Sequence, residues 1–515
     1  MRFADLADLR VAVWGYGREG RAALAALQRK FPGKELTLFC SEAEAQELQI
    51  SSPWEAWTEA SGQTAQGATA SSDVQLPHTT RHPVAAAEKR PLEIVTTSPD
   101  AATLARFDVV IKSPGISPYR APYAQAAALG VRFVSGSALW FAEHTQARTI
   151  CVTGTKGKST VTALIAHLLR KSGRRVALAG NVGLPLLELL DVDDADASAP
   201  DWWVIELSSF QTRDFDGAPG VAVINNVYEE HLDWHLSREN YVADKLAIAA
   251  RARHVVVNAE QALLADVGHA RGRSEFNSPR GWHVRDAAIH RGDERMLALA
   301  SIPLPGLHNA QNVCAALAAI EAAGIFEEID NASSANAGDQ ACAQKYAALA
   351  AHVETFVPLP HRLQTLGLRD AITYVNDSIS TTPYAAIEGL RSLSGQVVTI
   401  LVGGFDRGVS WQPFADYVAA HPPHAVMTMG ANREAIAVAL RAIVPQRFIL
   451  DSAPLLADAF ARARALTPAR GAILLSPGAP SFDQFHDYAE RGREFARLAG
   501  FDPNAIAQIE GLGIA

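Results

Sequence analysis

The chain lacks the sequence features that mark nucleic-acid-binding and membrane-spanning proteins. Its 515 residues contain no run of lysine and arginine and carry a net charge of −9, so the positive surface expected of a nucleic-acid binder is missing. No stretch approaches the roughly 18 uninterrupted apolar residues of a membrane span, and the first residues show no signal-peptide pattern. We therefore expect neither nucleic acid nor a membrane as a partner.

Cysteine is also scarce. The four cysteines are scattered without CxxC spacing, at Cys40, Cys151, Cys314 and Cys342. This spacing argues against a disulfide framework or a zinc knuckle and fits a reducing compartment. We expect the protein to be cytoplasmic.

The composition that remains is that of a globular protein, with 48% hydrophobic and 20% charged residues. Short β-rich runs alternate with Ala- and Leu-rich helical stretches, which indicates βαβ units and mostly parallel sheets. These runs lie at 9–14, 109–111, 149–152, 203–207, 221–225, 397–402 and 472–475. We predict an α/β protein of several domains, since 515 residues are too many for one hydrophobic core.

Composition also suggests where the domains divide. A strand that starts near Thr149 places one boundary before it, and residues 356–364 (FVPLPHRLQ) look like a linker into another α/β unit. The predicted domains are residues 1–147, 148–355 and 356–515. Residues 51–92 and 327–345 lack sustained periodicity, and we predict surface loops for both.

A glycine-rich turn follows the first predicted strand. Residues 15–20 read GYGREG, and a helical stretch begins at Arg21. The G-x-G-x-x-G pattern between a strand and a helix allows close approach to a phosphate at the helix N-terminus. A tight turn without a ligand gives the same pattern, so the pattern alone leaves both possibilities open. A later turn, 112–116 (KSPGI), could shape the same cleft.

A second glycine-rich loop, 154–160 (GTKGKST), separates the strand near Thr149 from an apolar helix. Backbone N–H groups of such a loop cradle phosphates, while the lysine neutralises the transferred phosphoryl group and the following hydroxyl reaches Mg²⁺. The spacing departs from the general G-x-x-x-x-G-K-[ST] form, because position 152 is valine and the glycine sits at Gly154. We predict ATP binding at this loop.

Several residues downstream could complete a metal centre. Glu206 ends an apolar strand, where a carboxylate can hold Mg²⁺ directly or through water. His231 and Asp233 are close enough in sequence to face one ion, although alone they would more often be a helix cap and a surface group. Lys245 lies in a helical stretch and, without further information, would be a solvated lysine.

Together these motifs resemble the Mur ligases of peptidoglycan synthesis. The motifs occur in family order and span nearly the whole chain: GTKGKST at 154–160, GNVG at 180–183, ELSSFQ at 206–211, HLD at 231–233, PGLHNAQN at 305–312, LPHR at 359–362, NDS at 376–378 and LSPGAPSF at 475–482. The resemblance implies a Rossmann-like N-terminal domain that binds the UDP-substrate, a central P-loop ATPase and a Rossmann-like C-terminal domain that binds glutamate. It also implies an ATP-dependent ligase that acts through an acyl phosphate.

The resemblance assigns roles by position. Lys158, Glu206, His231 and Lys245 would be catalytic. ATP would be bound by Gly154, Thr155, Lys156, Gly157, Lys158, Ser159 and Thr160, with Asn309, Arg362 and Asp377. Mg²⁺, as two ions in the family pattern, would be held by Ser159, Glu206, His231 and a carbamylated Lys245. Substrates would be contacted by Gly15, Gly17, Ser113, Asn181, Ser208, Gln211, Thr381, Arg407, Ser481 and Tyr488.

The resemblance is greatest to the members that add glutamate to UDP-N-acetylmuramoyl-L-alanine. The form that adds D-glutamate carries a lysine two residues after the aspartate of NDS, where this chain has Ile379, and its glycine loop often ends in lysine, where 403–408 reads GGFDRG. These departures favour the branch that adds L-glutamate, with Arg407 as the carboxylate anchor, and D-glutamate is the alternative. A folylpolyglutamate-type ligase and a non-catalytic nucleotide-binding module are the remaining alternatives. We expect a monomer.

Overall fold

The computed structural model describes residues 1–51, 92–192, 196, 199–228, 230–268, 272–304, 306–326, 335–357, 359–406, 408–506 and 513–514. The chain divides into two compact units, Met1–Glu354 with Gly511–Ala515, and Thr355–Glu510. The described residues form three sheets, two in the first unit and one in the second. The domain boundaries at 147 and 356 remain predictions.

The N-terminal sheet is parallel and has the order β3-β2-β1-β4-β5. Its strands are β1 (Val11–Trp14), β2 (Leu36–Phe39), β3 (Leu92–Val95), β4 (Val109–Lys112) and β5 (Arg132–Val134). The helices are Arg18–Lys30, Glu42–Ser51, Ala101–Leu104, Tyr123–Ala128 and Gly136–Glu143. The strand order reverses at β1, so the carboxyl ends of β1 and β4 form the crevice where open α/β sheets bind ligands.

The central sheet contains the P-loop strand. Its order is β14-β13-β12-β11-β10-β9-β6-β8-β7-β21, with parallel strands from β7 to β12 and antiparallel strands at both edges. The strands are β6 (Thr149–Thr153), β7 (Val176–Gly180), β8 (Trp202–Glu206), β9 (Val221–Ile224), β10 (His254–Asn258), β11 (Gly272–Phe276), β12 (Trp282–Arg285), β13 (Ala288–Arg291), β14 (Glu294–Ala298) and β21 (Gly513–Ile514). The helices are Lys158–Lys171, Ser209–Arg213, Leu232–His235, Arg238–Leu246, Leu307–Ala322 and Ala335–Ala351.

The second unit is built on one six-stranded sheet of order β15-β16-β20-β17-β18-β19, in which only the edge strand β15 is antiparallel to its neighbour. The strands are β15 (Gln364–Arg369), β16 (Ile372–Asn376), β17 (Val398–Val402), β18 (Ala425–Met429), β19 (Ile449–Ala453) and β20 (Ala472–Leu475). The helices are Pro383–Ser392, Gln412–Ala420, Arg433–Arg441, Leu456–Leu466 and Tyr488–Leu498.

The predicted fold class, α/β with mostly parallel sheets, is confirmed. Each of the seven predicted apolar runs coincides with a strand, because residues such as Ile150 and Val204 are fully buried between the layers that cover a parallel sheet. The predicted loop at 51–92 lies almost entirely outside the described residues. No helix in the described part of the chain is long and apolar enough to cross a membrane.

The prediction of a loop at 327–345 is wrong for its second half. Residues 335–345 belong to the helix Ala335–Ala351. The segment is rich in alanine, which has the highest intrinsic helix propensity, and its last turns bury Tyr346, Leu349 and Ala350. Burial of these later residues stabilises a helix whose polar first half shows no periodic pattern.

Candidate active site

The P-loop lies at the carboxyl edge of the central sheet, between β6 and the helix Lys158–Lys171. Gly157 caps that helix with φ +76°, and a Cβ atom there would lie 2.4 Å from Oδ1 of Asn312. Both the left-handed backbone and the close contact therefore require glycine. Ser159 is fully buried in the first helical turn and Thr160 is half-buried. The N–H groups of the first helical turn point towards any phosphate held by the loop.

Three asparagines from other elements fix the loop. The Asn225 amide donates to the Lys156 carbonyl at 2.9 Å and to Oδ1 of Asn312 at 3.0 Å. Asn226 accepts from the Lys156 N–H at 2.7 Å and donates to its carbonyl at 3.0 Å. Asn312 in turn donates to Oδ1 of Asn309, a predicted ATP-binding residue, at 3.2 Å. Such side-chain bonds preorganise the loop before a ligand arrives.

The polar side chains of the loop have defined partners. Nζ of Lys158 donates to the Thr155 carbonyl at 3.0 Å, and Nζ of Lys156 lies 3.0 Å from the Glu230 carboxylate. Oγ1 of Thr155 lies 2.5 Å from the Tyr241 hydroxyl. The seven predicted residues 154–160 thus form the loop after β6 and the first turn of the following helix.

Glu230 is an acidic residue of this site to which the sequence analysis assigned no role. Burial alone would raise the pKa of the Glu230 carboxyl, but the positive charges of Lys156, His231 and Lys158 lower that pKa below its ordinary value. Its anion therefore offsets part of the positive charge around the P-loop.

Glu206 is the clearest indication of a metal site. Glu206 pairs with Val152 on β6 and with Gly180 on β7. Its carboxylate therefore lies at the edge of the central sheet from which the P-loop emerges. Oε1 accepts from the Asn181 amide at 2.6 Å, whereas Oε2 is buried without a hydrogen-bond partner among the described residues. A buried carboxylate oxygen without a partner is unfavourable, and coordination to Mg²⁺ would satisfy it. Asn181, predicted to bind substrate, orients this carboxylate.

His231 lies at an unusual backbone position. It caps the short helix Leu232–His235 with φ +56°, in the left-handed region. Its ring centroid is 5.0 Å from that of Phe210, and Nε2 is 3.6 Å from Oε2 of Glu230. The side chain is 37% exposed, which leaves it accessible to a ligand. The side chain of Asp233 is not among those the structure describes.

Lys245 is buried directly beneath the P-loop. Nζ donates to the Gly154 carbonyl at 2.8 Å and lies 5.1 Å from the Tyr241 ring centroid. Burial, followed by the nearby charge of Lys158, lowers the pKa of the Lys245 amine well below its ordinary value. Burial therefore excludes a solvated lysine at this position.

The predicted metal ligands Ser159, Glu206, His231 and Lys245 include only two residues of the usual ligand types. Across the described ranges, no three His, Cys, Asp or Glu side chains form a cluster that could hold a metal ion. The predicted site would therefore need oxygen atoms from the serine hydroxyl, from a modified lysine or from the nucleotide.

The glycine-rich turn of the N-terminal sheet packs tightly. Gly15 has φ +91°, and Oγ of Ser113 donates to its carbonyl at 3.0 Å. Gly17 caps the helix Arg18–Lys30. The Arg18 guanidinium donates at 3.0 Å to the carbonyl of Gly180, the last residue of β7, which directly precedes Asn181. The structure thus connects the turn predicted to bind the UDP-substrate with the segment that orients Glu206.

Ser208 and Gln211 form a capping box at the start of the helix Ser209–Arg213. The Gln211 amide also donates to Oε1 of Glu19 at 3.2 Å. Burial raises the pKa of the Glu19 carboxyl to about 7. Sequence analysis did not identify Glu19, although it lies within the G-x-G-x-x-G turn.

In the second unit, Asp377 lies directly after β16 and is buried. Its carboxylate accepts from the Leu363 N–H at 3.1 Å and from the Ser476 hydroxyl at 2.7 Å. Burial raises the pKa of Asp377 to about 6, although Ser476, Arg362 and other neighbours oppose that rise. The structure therefore brings Arg362 and Asp377, both predicted to bind ATP, into electrostatic contact.

Of the other predicted glutamate-site residues, Thr381 follows β16 in sequence, and Ser481 and Tyr488 follow β20. Ser481 is buried, Thr381 is half-buried and Tyr488 is 37% exposed at the start of the last helix. Arg407 lies outside the described residues. Arg491, which sequence analysis missed, is buried and donates to the Ser378 hydroxyl at 3.0 Å and to its carbonyl at 2.8 Å.

Replacing Asp377 with asparagine should stabilise the protein increasingly as pH rises. A carboxyl with a raised folded-state pKa is disfavoured when it ionises, so wild-type stability falls as pH rises through about 6. Asparagine has nearly the same shape and does not titrate, so the advantage of Asp377→Asn should reach at most about 3 kcal/mol. Thermal unfolding of both proteins at about pH 5 and about pH 8 measures this difference. A difference independent of pH would contradict the prediction.

Comparison with known proteins agrees with this geometry. Residues 152–320 match the Mur ligase middle domain. A UDP-N-acetylmuramoyl-L-alanine–L-glutamate ligase of Xanthomonas axonopodis pv. citri is 44% identical, and one of Xylella fastidiosa is 45% identical, each over 100% of both chains. One of Micromonospora sp. is 35% identical over 96% of this chain and 97% of its own length. At these identities over the full length, the chain belongs to the Mur ligase family.

Proposed function

We propose that this protein joins L-glutamate to UDP-N-acetylmuramoyl-L-alanine in peptidoglycan precursor synthesis, with conversion of ATP to ADP and phosphate. The substrate assignment is supported by the names of relatives that are 44–45% identical over their full length. D-glutamate, the alternative favoured by fewer features of the sequence, becomes the competing substrate in the test below.

One observation carries the ATP-dependent part of the proposal. The unpartnered oxygen of Glu206 is buried at the sheet edge from which the P-loop emerges. A P-loop with an adjacent carboxylate is the arrangement that phosphoryl-transfer sites use to hold a nucleotide with its metal ion. Bound Mg²⁺ would neutralise charge on the phosphates, and Ser159, Glu206, His231 and Lys245 are the residues we propose to hold it.

The proposed reaction has two steps. The substrate carboxylate attacks the γ-phosphorus of ATP, the bond to the bridging oxygen of ADP breaks, and an acyl phosphate forms. The glutamate amine then attacks the acyl carbon, loses a proton and expels phosphate. Lys158 would stabilise charge on the transferred group, and the asparagine-fixed loop would hold the phosphates in line with the carboxylate. Because an acyl phosphate hydrolyses readily, exclusion of water is essential between the steps.

We further propose that Lys245 acts as a carbamate. Carbon dioxide combines with a neutral amine, and burial favours that form of Lys245. A bond forms between the amine nitrogen and the carbon, the nitrogen loses a proton to solvent, and the carbamate would carry a negative charge beside the lysines of the P-loop. It would also supply further oxygen atoms to the predicted metal site.

A paired assay tests the amino acid substrate. The purified protein, ATP, Mg²⁺ and UDP-N-acetylmuramoyl-L-alanine are incubated with L- or D-glutamate at equal concentration, and phosphate and ligated product are measured. We expect efficient turnover with L-glutamate and little with D-glutamate. In a site that holds the amine in one direction, the two epimers place the γ-carboxylate against different walls. We propose that Ile379 and Arg407 distinguish the two epimers.

The controls separate the alternatives. Reactions without the UDP-linked acceptor measure background ATP hydrolysis, and a pterin acceptor tests the folylpolyglutamate alternative. Preference for D-glutamate would overturn the stereochemical assignment alone. No glutamate-dependent phosphate release with either epimer would overturn the ligase assignment and favour a nucleotide-binding module.

A further inference from the structure

A hydrogen-bonded chain of three buried side chains lies beside the P-loop. Nδ1 of His235 is 2.7 Å from Oδ2 of Asp244, and Nε2 of the same ring is 3.0 Å from Oγ of Ser209. An ionised carboxylate can only accept, so Nδ1 donates to Asp244 and Nε2 forms the bond with Ser209. A charge-assisted bond of this length is stronger than a neutral one. The imidazole therefore has a fixed orientation.

The arrangement has the serine–histidine–carboxylate order of a hydrolase triad. Its burial excludes that role, because the His235 residue has no exposed surface and Ser209 and Asp244 are each only 3% exposed. A substrate carbonyl cannot reach a serine hydroxyl that is enclosed in this way. These three side chains must instead act by holding neighbouring segments in place.

The outer two residues of this hydrogen-bonded series, Ser209 and Asp244, lie close in sequence to the proposed metal ligands. Ser209 follows Glu206 by three residues and begins the helix Ser209–Arg213, while Asp244 directly precedes Lys245 in the helix Arg238–Leu246. We propose that His235 is a positioning residue that ties the segment carrying Glu206 to the helix carrying Lys245. This inference rests on the proposed function, since it concerns the same metal centre.

Packing around His235 supports a rigid tie. The ring stacks on Phe210 with centroids 5.6 Å apart and meets Tyr241 edge-on at 5.1 Å. The His235 carbonyl accepts from the Asn240 amide at 2.9 Å. The imidazole is therefore held by two neighbouring rings and at both nitrogens, and the His235 backbone is held by Asn240.

Asp244 is itself held by residues outside the tie. Oδ1 accepts from the Tyr119 hydroxyl at 2.8 Å, and the Arg213 guanidinium lies 3.2 Å from the same oxygen. Loss of the His235 bond would therefore leave the carboxylate partly paired. We expect a change of His235 to shift the two ligand-bearing segments relative to each other while the protein still folds.

Two substitutions each remove one bond of the tie. In His235→Asn the amide occupies the position of Nδ1 and can bond only to Asp244, whereas in His235→Gln it reaches the position of Nε2 and can bond only to Ser209. Outer residues that orient metal ligands typically change metal affinity about 10- to 100-fold when replaced. We expect both variants to bind Mn²⁺ at least about 10-fold more weakly than wild type. The affinity is measured on the full-length protein with ADP, from the electron paramagnetic resonance signal of free Mn²⁺.

His144→Gln is the matched control for loss of a buried imidazole. His144 is 5% exposed in the same unit, stacks on Trp140 at 4.4 Å and bonds through Nε2 to the Leu190 carbonyl at 3.1 Å. The substitution His144→Gln should lower the melting temperature of the protein without weakening Mn²⁺ binding.

The outcomes separate this inference from the function on which it rests. Wild-type Mn²⁺ affinity in both His235 variants, or equal weakening in His144→Gln, overturns the positioning role. Wild-type protein that binds Mn²⁺ but ligates no glutamate overturns the substrate assignment and leaves the role of His235 standing. Wild-type protein that binds no Mn²⁺ with ADP removes the metal centre and this inference together.

Discussion

Replacing Lys158 with alanine should reduce glutamate ligation by at least about 10²- to 10³-fold, the usual effect of deleting one preorganised group that stabilises developing charge. Lys158 begins the helix that follows Gly157, and its Nζ folds back onto the loop at the Thr155 carbonyl. From there its charge can reach the phosphates that the loop would hold. Phosphate release in the presence of both substrates measures the loss, and circular dichroism tests whether the variant folds.

Lys171→Ala provides the control for Lys158→Ala. It deletes an identical charge from the last residue of the same helix, at an exposed position away from the loop. We expect its turnover to remain near that of wild type. A folded Lys158→Ala protein that releases phosphate at the wild-type rate would refute the assignment of this loop to ATP.

The elements that the sequence could predict are those whose signal is local. The P-loop strand β6 is a buried apolar run. The helix that follows it is rich in alanine and leucine. For both elements, the nearby sequence is enough to indicate strand or helix. The left-handed backbone conformations of Gly15 and Gly157 were likewise predictable, because a turn between a strand and a helix often requires a residue with positive φ. These features placed both glycine-rich turns correctly.

The side chains that organise the site could not be predicted in this way. Asn225 bonds to Lys156 of the P-loop, which lies 69 residues before it in sequence. Asn312, which bonds to Asn225, lies a further 87 residues along the chain. His235 lies two residues after the motif at 231–233, but its partners Ser209 and Asp244 become adjacent only when three helices pack. A hydrogen bond between distant segments depends on the tertiary fold and leaves no periodic signal in the sequence.

The charge balance of the site explains why Lys245 matters. Lys156 and Lys158 bring two ammonium groups to the loop, whereas Glu206 and Glu230 bring two carboxylates close by. A third ammonium buried at Lys245 would oppose the binding of a divalent cation. Conversion of that side chain to an anion would remove the conflict and leave a surplus of negative charge for Mg²⁺.

Replacing Lys245 with alanine should therefore nearly abolish ligation, and acetate should partly restore it. The substitution would remove the proposed carbamate and leave space beside Gly154, in which a short carboxylate can supply oxygen atoms at the same place. We expect a loss of about 10²-fold or more, as for other groups that stabilise charge in the transition state. Phosphate release from Lys245→Ala is measured over a range of acetate concentrations, with chloride at matched ionic strength as the salt control.

Acetate added to Lys158→Ala distinguishes this rescue from a general effect of the anion. Lys158 acts as a cation, so a carboxylate cannot replace it, and acetate should leave that variant inactive. Rescue of Lys245→Ala alone would identify a missing negative group at position 245. Rescue of both variants, stimulation of the wild type to the same degree, or full activity of Lys245→Ala without acetate would each contradict the carbamate. Loss of activity without rescue, in a folded Lys245→Ala protein, would instead assign Lys245 the role of holding Gly154 through its amine.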